Sequence, residues 1–95
     1  MYLEFFTVPI SLPRFESLKK LEVEIDYIQY EDSAVEVSLP HLKELRFSNS
    51  GKDYPKLTEA LIEASSTTLE VLKCSMLLPS IAKCKNLETL TVVNR

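Results

Sequence analysis

Few residues of this 95-residue chain have the types and spacing needed for acid–base, nucleophilic or metal chemistry. The single histidine, His41, follows Pro40, and a catalytic histidine would also need a nucleophile, an orienting partner and an oxyanion site. Cys74 and Cys84 lie ten positions apart, with no second Cys or His beside them to give zinc-ligand spacing. We therefore expect His41 to be a partly exposed turn residue and both cysteines to be buried, reduced and unligated.

Carboxylate pairs and phosphate loops give no stronger signal. Glu22 and Glu24 alternate, so a strand would place them on one exposed face, and Glu31 lies beside Asp32. No pocket is marked beside either pair, and solvated acidic surface is the commoner explanation. A glycine-rich phosphate loop is excluded because Gly51 is the only glycine. The sequence predicts no catalytic residues, no metal site, no cofactor and no enzymatic activity.

Composition describes one ordinary folded domain over residues 1–95. The chain is 45% apolar and 26% charged, and its net charge of −3 gives no electrostatic reason to bind nucleic acid or an anionic membrane. No apolar run approaches the roughly 20 residues of a membrane span, and no signal-peptide pattern opens the chain. Two cysteines fit a reducing compartment, so we expect an intracellular protein, cytoplasmic or nuclear.

An internal repeat in the sequence predicts where the strands of this chain lie. Segments beginning at Leu18, Leu42, Leu69 and Leu87 align without gaps and carry apolar residues at offsets 0, 3 and 5. Offsets 3 and 5 share one face of a strand, so the side chains at offsets 2, 4 and 6 point to the other face. The segments start 24, 27 and 18 residues apart, which leaves room for return paths that lay the strands in parallel. A weaker fifth match begins at Leu3.

This pattern resembles the leucine-rich repeat, Leu-x-x-Leu-x-Leu, whose units run about 20 to 29 residues. The resemblance implies an α/β solenoid with a short parallel sheet and with irregular and helical connections on its convex side. The family usually has Asn or Cys at offset 8, where this chain has Asp26, Ser50, Leu77 and Arg95. With its irregular repeat lengths, the chain looks most like the divergent repeats of F-box proteins and plant disease-resistance receptors.

The connections between segments differ from one another. A helix is predicted over residues 54 to 65, with Asp53 as its capping candidate and Pro55 in its first turn. A shorter helix is permitted after Pro79, whereas Glu22 to Leu39 favours an extended return strand or a hairpin. The predicted core residues of the central segments are Leu45, Phe47, Leu72 and Leu90.

The resemblance implies that the chain binds another protein, with the concave sheet face as the expected location. Within that face we expect Lys20 to pair with Glu44, and Glu22 with Arg46, on adjacent strands. The acidic segment from Tyr27 to Asp32 is a second candidate docking surface, although a solvated loop is the commoner explanation for such a segment. The predicted partner-binding residues, at offsets 2, 4 and 6, are Lys20, Glu22, Glu24, Glu44, Arg46, Ser48, Val71, Lys73, Ser75, Thr89, Thr91 and Val93.

A second hypothesis comes from the ends of the repeat array. Neither terminal segment carries the polar cap that a solenoid normally has, so we expect the chain to be part of a longer array or to have its edges covered by a second chain. In this alternative the chain is a structural subunit that packs within a larger assembly through its uncapped edges.

Overall fold

The computed structural model describes residues 2–5, 16–25, 36–49 and 54–93. Within these ranges five strands form one parallel sheet in which the strand order follows the chain order. One α-helix and one 3₁₀ helix lie in the connections, so the α/β class is confirmed. The strands are β1 (Tyr2–Phe5), β2 (Lys20–Ile25), β3 (Glu44–Asn49), β4 (Val71–Cys74) and β5 (Thr89–Val92); the α-helix, α1, is Pro55–Ala64 and the 3₁₀ helix is Pro79–Lys83.

The register of β2 to β5 follows the sequence repeat. The fourth residues of the four segments, all leucines, pair in one continuous line across the sheet: Leu21, Leu45, Leu72 and Leu90. The predicted parallel pairing and gap-free alignment are therefore confirmed for these strands. A parallel ladder needs a long return connection between neighbouring strands, and each interval between segments supplies one.

The same backbone contact recurs at each of the three junctions between these segments. The carbonyl oxygen at offset 1 accepts the N–H groups of two successive residues in the next segment, at 2.8 and 3.0 Å every time. The acceptors and donors are Lys19 with Lys43 and Glu44, Lys43 with Glu70 and Val71, and Glu70 with Glu88 and Thr89. The repeat is therefore a repeat of backbone geometry as well as of leucines.

Strand β1 departs from the alignment suggested by the weak fifth match. That match places Leu3 at the level of Leu18, but the structure pairs Leu3 with Val23. The strand is thus shifted by five residues relative to the repeat, and the aligned offsets are wrong for this segment. β1 therefore joins the sheet without the leucine register of the other strands.

The core lies on the inward face of the sheet, against α1. Leu45, Phe47 and Leu72 are buried as predicted, with at most 3% of their surface exposed. The prediction for Leu90 is wrong, because 41% of this residue is exposed. Leu90 belongs to the same line of leucines, but among the described strands β5 has a neighbour on one side only, so part of its inward face is not covered.

Helix α1 confirms the prediction of a helix over residues 54 to 65 within one residue at each end. Leu57, Leu61 and Ile62 are buried on its inner face. Tyr54 occupies the N-cap position and makes no side-chain capping bond. The predicted capping residue, Asp53, lies outside the described residues.

The connection before β5 contains the short helix that the sequence permits after Pro79. Its helical part is a five-residue 3₁₀ helix, which begins at Pro79 and ends at Lys83. The tighter winding gives a turn in the small space before Leu87. Lys83 Nζ lies 2.8 Å from Glu63 Oε1 of α1 and links the two helices on the surface.

Two sequence expectations fall largely or wholly outside the described part of the chain. The predicted hairpin or return strand after β2 is centred on residues 26–35, and the candidate docking segment Tyr27 to Asp32 lies within it. Among the described helices, neither has the length and apolarity needed to cross a bilayer.

Candidate protein-binding face

Ten of the twelve predicted partner-binding residues lie at alternate positions of β2 to β5, on the face opposite the buried leucines, and Ser75 and Val93 directly follow β4 and β5. We call this surface the outer face. None of the twelve residues is buried. The exposed members are Lys20, Arg46, Ser48, Lys73, Thr89, Thr91 and Val93, and the half-buried members are Glu22, Glu24, Glu44, Val71 and Ser75.

Strand register arranges the outer face in rows that cross the sheet. The offset-2 row is Lys20, Glu44, Val71 and Thr89, and the offset-4 row is Glu22, Arg46, Lys73 and Thr91. Charged residues therefore occupy β2, β3 and one position of β4, whereas the row ends on β5 are uncharged. The outer face has a charged part and a neutral part.

Glu44 is the centre of the ionic contacts in the charged part. Its Oε2 atom lies 2.7 Å from Arg46 Nε and 3.5 Å from Lys20 Nζ, and Lys20 Nζ also lies 3.5 Å from Glu22 Oε1. The hydrogen bond from Arg46, aided by Lys20, lowers the pKa of the Glu44 carboxyl group. The predicted Lys20–Glu44 pair is confirmed.

The predicted Glu22–Arg46 pair is wrong, although the two residues are register partners. Arg46 extends along its own strand to Glu44, two residues earlier on the same face. Residues two apart on a strand are about 7 Å apart, a distance that a long arginine side chain spans easily. The Arg46 guanidinium therefore contacts Glu44 and not Glu22, the partner predicted from the sequence.

Lys73 differs from the other cations of the outer face because it makes no ion pair with any described residue. Its register partner on β3 is Arg46, so two positive side chains lie side by side on neighbouring strands. Like charges in that position destabilise a sheet by a few tenths of a kcal/mol, up to about 1. An anionic group placed between them would relieve the repulsion.

An open depression of about 140 Å³ lies at this place. The side chains around it are those of Glu22, Arg46, Ser48 and Lys73; Val23 and Phe47 also line it. Since Val23 and Phe47 are buried on the inward face, their contribution is mainly backbone. The volume is below the roughly 300 Å³ at which small-molecule pockets begin, so the depression fits a protruding side chain better than a cofactor.

His41, Cys74 and Cys84 lie apart from the outer face. His41 is exposed in a turn, as predicted. Cys74 and Cys84 are buried free thiols whose Sγ atoms donate to the carbonyl oxygens of Met76 and Ser80, at 3.1 and 3.8 Å. Burial raises the pKa of both thiols, which keeps them protonated and unreactive near neutral pH. Among the described residues no group of three or more His, Cys, Asp or Glu is placed to hold a metal ion.

Two polar contacts between segments come from the position directly before a segment's first leucine, which the sequence pattern did not predict. Thr68 Oγ1 donates to the carbonyl oxygen of Leu42 at 2.6 Å, and Asn86 Nδ2 donates to that of Thr67 at 2.8 Å. Both side chains directly precede the first leucine of a segment and reach back to the segment before it. The leucine-rich-repeat pattern places this role at offset 8, but Leu77, at that offset, is 70% exposed.

Comparison of the chain with protein-family models, with curated proteins and with solved structures found no match.

Proposed function

We propose that this chain is a non-enzymatic protein–protein interaction module built as a leucine-rich-repeat solenoid. Parallel strands in chain order and a repeated backbone contact at each junction support this reading. The nearest functional parallel is the substrate-recognition repeat domain of an F-box-type ubiquitin-ligase receptor. In that case the F-box and its recruiting activity would lie outside these residues.

The observation that carries the proposal is that two cations, Arg46 and Lys73, lie side by side on neighbouring strands at the open depression. Lys73 makes no ion pair within the described residues, and Arg46 is 46% exposed even while it contacts Glu44. A partner that inserts a carboxylate here would satisfy Lys73 and reduce the repulsion between the two cations. The expected partner is therefore a protein that presents an acidic side chain to β3 and β4 and a neutral surface to Thr89 and Thr91.

The test is a double charge reversal, Arg46→Glu with Lys73→Glu. The matched control is Lys56→Glu with Lys85→Glu, which makes the same charge change at exposed residues outside the sheet. Each tagged protein is used to capture cellular proteins, which are quantified by mass spectrometry. Partners held by the outer face should fall about tenfold or more with the sheet variant and persist with the control.

Circular dichroism and a thermal melt establish that each variant is folded before the captures are compared. Exposed substitutions usually change stability by less than about 0.5 kcal/mol, so the control should melt near the parent chain. The sheet variant also loses the contact between Arg46 and Glu44, which should cost at most about 1 kcal/mol, so it should remain folded. Equal capture by a folded sheet variant would overturn the proposal. Unfolding of the sheet variant alone would mean that the outer face has a structural role.

One observation favours the alternative, a structural subunit that packs through its edges. Leu90 is 41% exposed at the position where the other segments bury a leucine completely. Sedimentation of the isolated chain distinguishes the two functions, because a recognition module should remain monomeric without its partner. A structural subunit should be oligomeric or insoluble alone.

A further inference from the structure

The edge of β5 opposite β4 is a surface that the outer face does not include. In a strand, the backbone groups of alternate residues point to opposite sides. The N–H groups of Thr89 and Val93 donate to Glu70 and Cys74 on the β4 side. Those of Leu90 and Val92 therefore point to the other side, where no strand of the described chain lies.

Two features of this edge repeat what the inner strands offer to their neighbours. The carbonyl oxygen of Glu88 is at offset 1, where Lys19, Lys43 and Glu70 each accept two successive N–H groups. Leu90 continues the line of paired leucines, and 41% of it is exposed. The edge thus presents a backbone acceptor and an apolar side chain at the spacing that the sheet already uses at three junctions.

The edge also carries an exposed carboxylate, that of Glu88. At offset 1 of the second and third segments, Lys43 Nζ lies 3.3 Å from Glu70 Oε2. Glu88 is the next residue in this line; it is exposed and makes no ion pair within the described residues. A strand added at this edge would therefore meet a carboxylate at its offset 1 and apolar side chains at its offsets 3 and 5.

We propose that the β5 edge binds an extended segment of a partner protein as a sixth, parallel strand, with the pattern basic-x-apolar-x-apolar. The basic residue lies opposite Glu88, and the two apolar residues lie opposite Leu90 and Val92. Two successive N–H groups of the segment, beginning at the basic residue, donate to the carbonyl oxygen of Glu88. This inference concerns the edge alone and does not depend on binding at the outer face.

A second copy of the chain fits this edge less well than such a segment. The free edge of a copy would be β1, which pairs only over Tyr2–Phe5, opposite Glu22 to Ile25. The residues of β1 include the acidic Glu4 and no basic residue. A copy would therefore leave Glu88 without its basic partner.

The probe is a labelled synthetic peptide with the sequence of residues 42–49, Leu-Lys-Glu-Leu-Arg-Phe-Ser-Asn, which has the required pattern. A charge-swap cycle compares this peptide and its Lys43→Glu form against the parent chain and Glu88→Lys. Each single reversal should weaken binding on the order of fivefold, and the doubly reversed pair should recover it. Glu63→Lys, an exposed reversal on α1, should leave peptide affinity unchanged.

Two further measurements fix the geometry. Amide signals of Leu90 and Val92 should show slowed hydrogen exchange with the peptide, and a spin label at its N-terminus should broaden signals near Glu88 rather than near Val93. A peptide N-methylated at Lys43 and Glu44 should lose binding about tenfold or more, because its two donors are removed. Absence of peptide binding, an antiparallel label pattern or a cycle without recovery would overturn the proposal. So would self-association of the chain that Glu88→Lys abolishes, since the occupant would then be a second copy.

Discussion

Strands β4 and β5 carry the same sequence pattern but have different environments. Leu72 and Leu90 occupy the same offset and are direct register partners, yet Leu72 is fully buried and 41% of Leu90 is exposed. At the sixth position Cys74 is buried, whereas its partner Val92 is half-buried. The pattern sets the direction in which a side chain points, and the number of neighbouring strands sets how much of it is covered.

The difference between β4 and β5 also separates stabilising residues from residues available for binding. An inward leucine between two strands contributes to folding through complete removal from water. The same leucine at an edge leaves part of its surface for a partner. Two measurements compare the environments of β4 and β5, and a third compares a carboxylate on β3 with one at the β5 edge.

The largest effect is expected from truncation of the paired leucines. Leu72→Ala should reduce the free energy of unfolding by about 2 to 5 kcal/mol, because it leaves a cavity between β3 and β5. Leu90→Ala should cost roughly 1 kcal/mol, since its side chain is already partly hydrated and water can fill the space. Urea denaturation of the two variants measures the difference. Equal losses would mean that Leu90 is covered in solution.

A thiol probe compares the sixth positions of the same two strands. Cys74 is buried and its thiol pKa is raised by burial, so it should react slowly with iodoacetamide in the folded protein. In the variant Val92→Cys, the new thiol should react about tenfold faster or more, because β5 covers it less and its thiolate forms at lower pH.

Peptide mass spectrometry reads both sites in one sample, and unfolding in urea provides the control in which the rates converge. Because the Cys74 pKa is raised, its rate should begin to rise at higher pH than that of the new thiol. Similar native rates at the two sites would contradict the contrast between β4 and β5.

The smallest effect is expected from the surface carboxylates. Glu44→Gln should cost at most about 1 kcal/mol at pH 7, because its contacts with Arg46 and Lys20 are solvent-exposed ion pairs. Glu88→Gln, at the edge, should cost close to nothing. Since the pKa of Glu44 is lowered in the folded state, its contribution is fully present above the ordinary glutamate pKa of about 4.3.

That contribution is lost as pH falls through the lowered value. Thermal melts between about pH 3 and pH 7 should therefore show the parent chain and Glu44→Gln converging on acidification. A difference that remains constant down to the lowest pH would mean that the cost of Glu44→Gln is not electrostatic.

The strand register and the α-helix could be predicted from particular residues of the sequence. The spacing of Leu18, Leu42, Leu69 and Leu87 was enough to predict the parallel register of four strands, because a side-chain period of two and a shared leucine line allow one alignment. The helix before β4 followed from Pro55 and the apolar spacing after it. The alignment beginning at Leu3 failed, since a single weak match does not determine how a strand enters the sheet.

Local periodicity and repeat length set which residues face inward, which face outward, and which strands are neighbours, so these features could be predicted from the sequence. Tertiary structure decided the rest. In the folded chain Arg46 contacts Glu44 and not Glu22. Lys73 lies beside Arg46 without an ion pair to any described residue, and Leu90 is exposed at an edge. Ion-pair choice depends on side-chain reach in three dimensions and burial depends on what lies alongside, and neither is encoded in the spacing of residues along the chain.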